Sequence, residues 1–340
     1  MSGKTKNFDI VSLGSCTMDM IFSVDDLKEI EFLGQDQAEK KYIAIECSSK
    51  LNVKSVKFFP GGSAANIACN LSNIGFKTAY LGGIGDDMNG KTCLEDLIEH
   101  KVDTSGVKIF SEDATAISVI LVNPWKKDRS ILAYKGANNL FSDENIPENM
   151  ILSSRCFAWT SLTSDKGIRA IEKCIKLAES AHGLVVGAPS ISIIKHRFED
   201  TIALMKKSEI TSMNIEELSA LTEKTDILKG MKILFDWGLK IVNITLGKEG
   251  QWISDGKKII KTSPPKTFPA DTTGAGDATI SGIVYGVLNG KSLADTSKIA
   301  ASLSAMEIEA EGVRVGTPIE FSELENFMKK HEIQQEITYF

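Results

Sequence analysis

Two rhythms of apolar and polar residues divide the chain. Compact apolar runs such as Phe8–Leu13 (FDIVSL), which stops at Gly14, have the length and β-branched content of buried strands. In GSAANIACNLSNIG, by contrast, Ile67, Leu71 and Ile74 recur at helical spacing, and Gly75 stands where a left-handed cap would end the helix. The strand TAYLGG follows, a loop spans 85–90, and CLEDLIEH returns to helical spacing. From Arg155 onward strands and helices alternate: CFAWTS, KGIRAIEKCIKLAESA, GLVVG, FEDTIALMKK, EITSM, EELSALT, DILKGMKILFDWG and KIVNITL. This alternation predicts a mostly parallel sheet flanked by helices on both faces, an open, doubly wound α/β architecture.

Two stretches break the pattern. From Ile21 to about Lys57 charged and apolar residues alternate (SVDDLKEIEF, KYIAIEC), as in a sheet flanked by solvent. AISVILV and RSILAY read as two more strands, separated by the turn-like NPWKKD. Together they predict a small β-sheet lid, approximately 21–57 and 110–136, inserted into one domain spanning 1–340. The loop delivered by the first strand would carry Asp19. No fixed-period repeat, low-complexity tract or proline-rich linker interrupts the chain.

Composition narrows the classes of function. With 42% hydrophobic and 25% charged residues the chain is that of an ordinary globular protein. Its net charge is −6, with basic residues interleaved among acidic ones, so the basic stripe of a nucleic-acid binder is missing. The six cysteines form no C-x-x-C pair and the four histidines never approach zinc-ligand spacing, which favours reduced, buried thiols. The apolar run near the N-terminus is too brief and glycine-broken for a signal peptide or a membrane span, so no membrane partner is expected and the expected location is cytoplasmic.

Two glycine-bearing stretches invite a phosphate. GDDMNGKT at 85–92 satisfies the expression of a P-loop, yet Asp86 and Asp87 would stand inside the cradle and repel the anion. In PADTTGAGDATISGIVYGVLNG, at 269–290, Gly274, Ala275 and Gly276 lack bulky side chains where a loop enters a helix. Bared amides and the positive end of the helix dipole would there form an anion hole without any lysine. Asp277, one step inside, can take the proton of an attacking hydroxyl. From spacing alone it can equally be an aspartate that the helix dipole favours in a first turn.

DTTGAGD at 271–277, together with PGGSAANIACNLSNIGFKTAYLGGIGDD at 60–87, resembles the paired signatures of the ribokinase-like (PfkB) family of carbohydrate and nucleoside kinases. The resemblance extends over nearly the full chain. It implies a ribokinase-like fold with a lid, ATP and Mg²⁺ as cofactors with K⁺ as a possible activator, and Asp277 as catalytic base. It assigns GDDMNGKT to the substrate half, leaving Lys91 a solvated lysine at a helix start. Asp19, Gly62, Ser63 and Asn66 match positions that contact substrate; their alternatives are a turn-forming aspartate and a serine-capped helix entry. Asn214 and Glu217 resemble the N-x-x-E motif that helps place metal and phosphates, with Glu217 reaching Mg²⁺ through water, although the same pair could be a helix cap. Thr245 and Gly247 match a nucleotide-binding strand end, or a plain hairpin turn. Main-chain oxygens of Asp271 and Thr273, with the AEGVRVG region, would hold the monovalent cation.

The sequence also departs from the pattern. Thr17 stands where ribokinase has asparagine, GAPS at 187–190 lacks the aspartate of an aspartate-proline-asparagine turn, and Thr160, Ser161 and Leu162 occupy the place of an expected glutamate. These changes argue against free ribose. The reading that results is an ATP-dependent kinase acting on a hydroxymethyl group of a small sugar. A nucleoside kinase, with Phe22, Phe58, Phe59 or Trp125 stacking on a base, is one alternative, and a sugar or nucleotide sensor without turnover is another. A dehydrogenase is set aside, because no G-x-G-x-x-G follows the first strand. The edges of a lid sheet make a homodimer through the lids plausible.

Overall fold

The structure is a computed structural model that describes residues 6–25, 27–33, 39–122 and 129–340. In chain order the strands are β1 (Phe8–Leu13), β2 (Thr17–Val24), β3 (Lys28–Leu33), β4 (Glu39–Ala44), β5 (Val53–Gly61), β6 (Thr78–Gly85), β7 (Val107–Phe110), β8 (Ala116–Val122), β9 (Arg129–Tyr134), β10 (Ser154–Trp159), β11 (Leu184–Gly187), β12 (Ile210–Asn214), β13 (Ile241–Thr245), β14 (Gln251–Ser254), β15 (Lys258–Thr262) and β16 (Gln335–Tyr339). The helices are α1 (Ser63–Asn73), α2 (Met88–Glu99), α3 (Glu148–Leu152), α4 (Asp165–Ser180), α5 (Ile191–His196), α6 (Phe198–Met205), α7 (Ile215–Thr222), α8 (Ile227–Asp236), α9 (Ala275–Leu288), α10 (Leu293–Ile308) and α11 (Phe321–Lys330).

The main sheet runs in the order β16-β15-β14-β13-β12-β11-β10-β1-β6-β7. It is parallel from β13 to β7 and antiparallel from β13 to β16. The strand–helix alternation of the sequence ends at KIVNITL and does not announce this antiparallel edge. Both faces of β1 are buried, as a continuous apolar run in a parallel sheet requires. Val11 and Leu13 meet α4 and α6 residues such as Ile171, Ile175 and Leu204. Ile10 faces the other way, into a cluster holding Ile67, Leu71, Ile280, Ile283 and Leu303 from α1, α9 and α10. Each such aliphatic side chain contributes about 1.5–3 kcal/mol on burial, so the two clusters fix which face of each helix turns inward.

α1 ends as its sequence predicts. Gly75 has φ 98°, and the amides of Gly75 and Phe76 donate to the carbonyls of Ser72 and Leu71 at 3.0 Å each. Five of the six cysteines are buried and Cys47 is exposed.

The small sheet has the order β5-β2-β8-β9, with β2 and β8 parallel and the other pairs antiparallel. Two expectations change here. Among the described residues β3 and β4 pair only with each other, so the 21–57 stretch is split between the small sheet and a separate hairpin. Asp19 lies in β2 rather than in a loop, because the strand already begins at Thr17, paired with Gly61 on one side and Ala116 on the other. NPWKKD, with Trp125, lies outside the described residues. Lys57 ion-pairs with Glu311 and the Phe59 ring packs over Gly312, which ties the small sheet to the loop after α10. Among the described residues no helix is long and apolar enough to cross a membrane.

Candidate active site

The first turn of α9 is the organising element. Gly274 caps it with φ 82°, a left-handed conformation that no side chain assists. Asp277 follows within that turn, where the dipole favours an anion. α1 packs against α9, and Asn66 Nδ2 donates to Asp277 Oδ2 at 2.7 Å. Burial raises the pKa of Asp277, and hydrogen bonds from Asn66 and Ser63 partly offset the rise. Asp277 is therefore a desolvated carboxylate held in one orientation.

Asp277 borders two cavities. One, of about 320 Å³, is also lined by Asp19, Gly62, Ser63, Asn66, Thr273 and Gly274. The second, of about 190 Å³, joins Asp277 to Gly276, Asn214, Glu217 and Thr245. A third, of about 140 Å³, continues past Ala275 and Gly276 to Thr245 and Gly247. The carboxylate thus stands between a polar chamber under the small sheet and a groove running along the helix start.

Glycines in this region have different causes. A Cβ on Gly62, whose φ is 98°, would overlap the Ser15 carbonyl, so the backbone itself requires that glycine. A Cβ on Gly276 would meet nothing within 4 Å. Protein packing gives no reason for glycine at 276, yet the residue sits in a helical turn, where glycine is costly. Open space beside exposed amides is what an approaching anion needs.

Asp19 is buried on β2, and burial pushes its pKa up to about 6 against hydrogen bonds from Ser118 and Thr17. Asn214 and Glu217 form the helix cap that their spacing allowed: Asn214 Oδ1 accepts from the Glu217 amide at 2.8 Å and Glu217 Oε2 accepts from the Asn214 amide at 2.9 Å. The same pair still faces the second cavity. Burial pushes Glu217 up to about 7, and Asp277 adds to the rise. Thr245 lies beside Asn214 at the carboxyl ends of β13 and β12, the end at which open α/β sheets bind ligands. Gly247 belongs to the hairpin turn between β13 and β14, as the plainer reading had it, and lines the third cavity. Asp271 lies apart from the Asp277 chamber. Its Oδ1 accepts from the amide and hydroxyl of Thr273 at 2.9 and 2.7 Å, and Oδ2 accepts from the Gly312 amide at 3.4 Å, so the 271–273 and 310–316 segments meet.

The P-loop look-alike is a helix cap. Asp87 accepts from the Gly90 amide at 2.8 Å and from the Thr115 amide and hydroxyl at 2.8 and 2.7 Å, while Lys91 is exposed on α2. Of the aromatic residues suggested for base stacking, Phe22, Phe58 and Phe59 do not line the chamber that holds Asp19 and Asp277, whereas Tyr134 does.

Sequence reasoning marked the segments holding Ser161 and Ser190 only as departures from the family pattern, and it missed several other residues. Ser161 and Ser190 line the chamber and bond to each other at 2.7 Å. Asn138 grips the Cys16 backbone, accepting from its amide at 3.3 Å and donating to its carbonyl at 3.1 Å. Lys135, just before it, also reaches the chamber. Behind Gly274, Glu307 is 1% exposed; its Oε1 accepts from the Arg314 amide at 2.8 Å, and Oε2 has no hydrogen-bond partner among the described residues. Arg314 is itself buried and pairs with Asp96 at 2.6 Å and with the Cys69 sulfur at 2.9 Å. Only the chain's folding brings these groups together, so no local motif announces them.

A ten-stranded, mostly parallel sheet with a small second sheet, and a helix start aimed at the cleft between them, define the ribokinase-like α/β class. The family model for pfkB carbohydrate kinases matches residues 7–320, and the chain belongs to that family. It is a carbohydrate kinase by that membership. An uncharacterized sugar kinase of Archaeoglobus fulgidus is 29% identical over 248 residues, covering 73% of this chain and 98% of the relative. A putative ribokinase II of E. coli in its apo form superposes with a TM-score of 0.82 at 17% identity, covering 95% of this chain and all of that one. The same E. coli protein in complex with ATP and Mg²⁺ gives a TM-score of 0.79 at 18% identity, with 95% and 100% covered.

Proposed function

We propose that the protein transfers the terminal phosphoryl group of ATP to a hydroxymethyl group of a small sugar, with Asp277 as general base. The acceptor occupies the chamber beneath the small sheet, where Asp19, the Gly62–Ser63 backbone and Asn66 hold its hydroxyls. The nucleotide lies along Asn214, Thr245 and Gly247. The observation that carries this reading is the position of Asp277, fixed by Asn66 on the boundary between the two spaces.

The acceptor oxygen attacks phosphorus as the bond to the ADP oxygen breaks, and its proton passes to the Asp277 carboxylate. The amides at 274–276 donate to the migrating PO₃ unit, so charge that develops in flight meets dipoles already in place. Asn66 holds the base, and Ser63 supports it. Nearby, burial pushes the carboxylates of Glu217 and Asp277 toward the neutral form, with the Asp277 charge adding to the shift of Glu217, and a divalent cation there would return both to the charged form. The donor set therefore fits Mg²⁺, with Glu217 reaching it through water; the metal would neutralise the phosphates. For a monovalent ion such as K⁺, backbone oxygens of Asp271 and Thr273 lie where the 310–316 segment meets them. We place the lid function on the small sheet and assign homodimer formation to its edges; a monomer mass by light scattering would remove the dimer.

The test is ADP release with ATP and Mg²⁺ across sugars and nucleosides, comparing wild type with Asp277→Asn. We expect a loss of about 10²–10⁴ in turnover. An unaffected variant, or no acceptor that drives turnover, would overturn the assignment.

A further inference from the structure

The acceptor chamber contains a cation to which the proposed phosphoryl transfer assigns no role. Lys135 stands between the end of β9 and the short turn Gly136–Asn139, half-buried, and lines the chamber with Asp19 and Asp277. Among the described residues its ammonium group makes no hydrogen bond or ion pair. The other lysines of the cleft are engaged, Lys57 with Glu311 and Lys54 with Asp25 at 3.9 Å. Tyr134, beside Lys135, gives its hydroxyl to Asp113. The chamber's carboxylates are also held elsewhere, Asp19 by Thr17 and Ser118 and Asp277 by Asn66 and Ser63.

The walls near Lys135 include apolar side chains, Ile117, Ile131 and Leu162. Burial lowers the lysine's pKa, and no carboxylate opposes that shift. A half-buried, unpaired ammonium is a standing cost that an anionic ligand relieves more than a neutral one does. Ser161 and Ser190 line the same chamber with neutral hydroxyls that can donate to an anion.

We propose that Lys135 is a specificity-determining residue that selects acceptors carrying an anionic group, a carboxylate or a phosphate, in addition to the hydroxyl that is phosphorylated. This rests on the phosphotransferase reading above. The lysine pairs with the fixed anion and orients the acceptor, while the reacting end lies at Asp277.

The experiment measures kcat/KM for ADP release with ATP and Mg²⁺ on matched acceptors: neutral aldoses, ketoses and nucleosides, the corresponding aldonates and ketoaldonates, and sugar monophosphates. Wild type, Lys135→Gln and Lys135→Arg are compared. Wild type is expected to favour an anionic acceptor, Lys135→Gln to lose about 30-fold or more on it while changing less than about threefold on the neutral counterpart, and Lys135→Arg to recover most of the loss. The aldonate and monophosphate arms tell carboxylate from phosphate. Thermal stabilisation of the nucleotide-free protein by the preferred acid, absent in Lys135→Gln, gives a second readout that does not need turnover. A neutral acceptor used best, with Lys135→Gln unchanged, overturns the inference and leaves the kinase reading standing. No product with any acceptor overturns both.

Discussion

Gly276→Ala separates folding from function at the start of α9. The added methyl would meet no protein atom within 4 Å, and Gly276 has a negative, helical φ, so the protein alone tolerates it. Alanine also loses less backbone entropy than glycine on entering a helix, worth about 0.4–1 kcal/mol. In a chain of this size that corresponds to a rise in Tm of roughly 1–2 °C. The same methyl would occupy the space beside the 275–276 amides that the migrating phosphoryl group is proposed to use. Loss of one such donor site costs about 10²–10³ in kcat, or about 3–4 kcal/mol of transition-state stabilisation. The variant should therefore be slightly more stable and nearly inactive. Differential scanning calorimetry and steady-state ADP release measure the two quantities on one sample. An alanine variant that keeps kcat/KM within about threefold of wild type would show that no ligand uses this space; a fall in Tm would show that the packing argument is wrong.

Three further substitutions test the surroundings. Burial pushes Glu307 from an ordinary 4.5 up to about 7. Between those values the folded protein holds a proton that the unfolded chain has released, so this group's contribution is fully present below about pH 4.5 and is lost as pH rises through about 7. Glu307→Gln keeps the acceptor for the Arg314 amide and removes the titration, so its stability relative to wild type should improve by about 1–3 kcal/mol between pH 4.5 and 8, read by urea denaturation; a pH-independent difference would refute the buried titration. Asp87→Ala removes a cap and the acceptor for two Thr115 donors and should cost about 2–4 kcal/mol, whereas Lys91→Ala should leave both stability and ATP turnover unchanged; loss of activity in the lysine variant would restore the P-loop reading.

Most of the parallel half was legible because its signals are local. α4 carries Ile168, Ile171, Ile175 and Ala178 on one buried stripe, and Ser164 caps it by accepting from the Gly167 amide at 3.1 Å. Gly75 and the GAGD turn are likewise read from neighbours in sequence. Asp19 was read as a loop residue because the strand's apolar alternation was credited only from Ile21 onward, whereas pairing with β5 and β8 starts at Thr17. β14 to β16 were missed because β16 comes from the far C-terminus and pairs with β15 across more than seventy residues. The Asn214–Glu217 spacing could not decide between cap and ligand site, and the structure shows a cap that also borders a cavity. Lys135, Glu307 and Arg314 gave no signal, since burial of a charge depends on elements distant in sequence.

One consequence lies in how the chamber is divided. Asp19 rides on β2 of the small sheet, while Asp277 is anchored to α9 in the main body, and Lys57–Glu311 is a bridge between them. On the proposed reading, an alcohol long enough to touch both layers brings them into register, but a water molecule touches only one. That difference in reach would protect the nucleotide from wasteful hydrolysis, and it assigns the discrimination to the spacing between layers rather than to the strength of any single base.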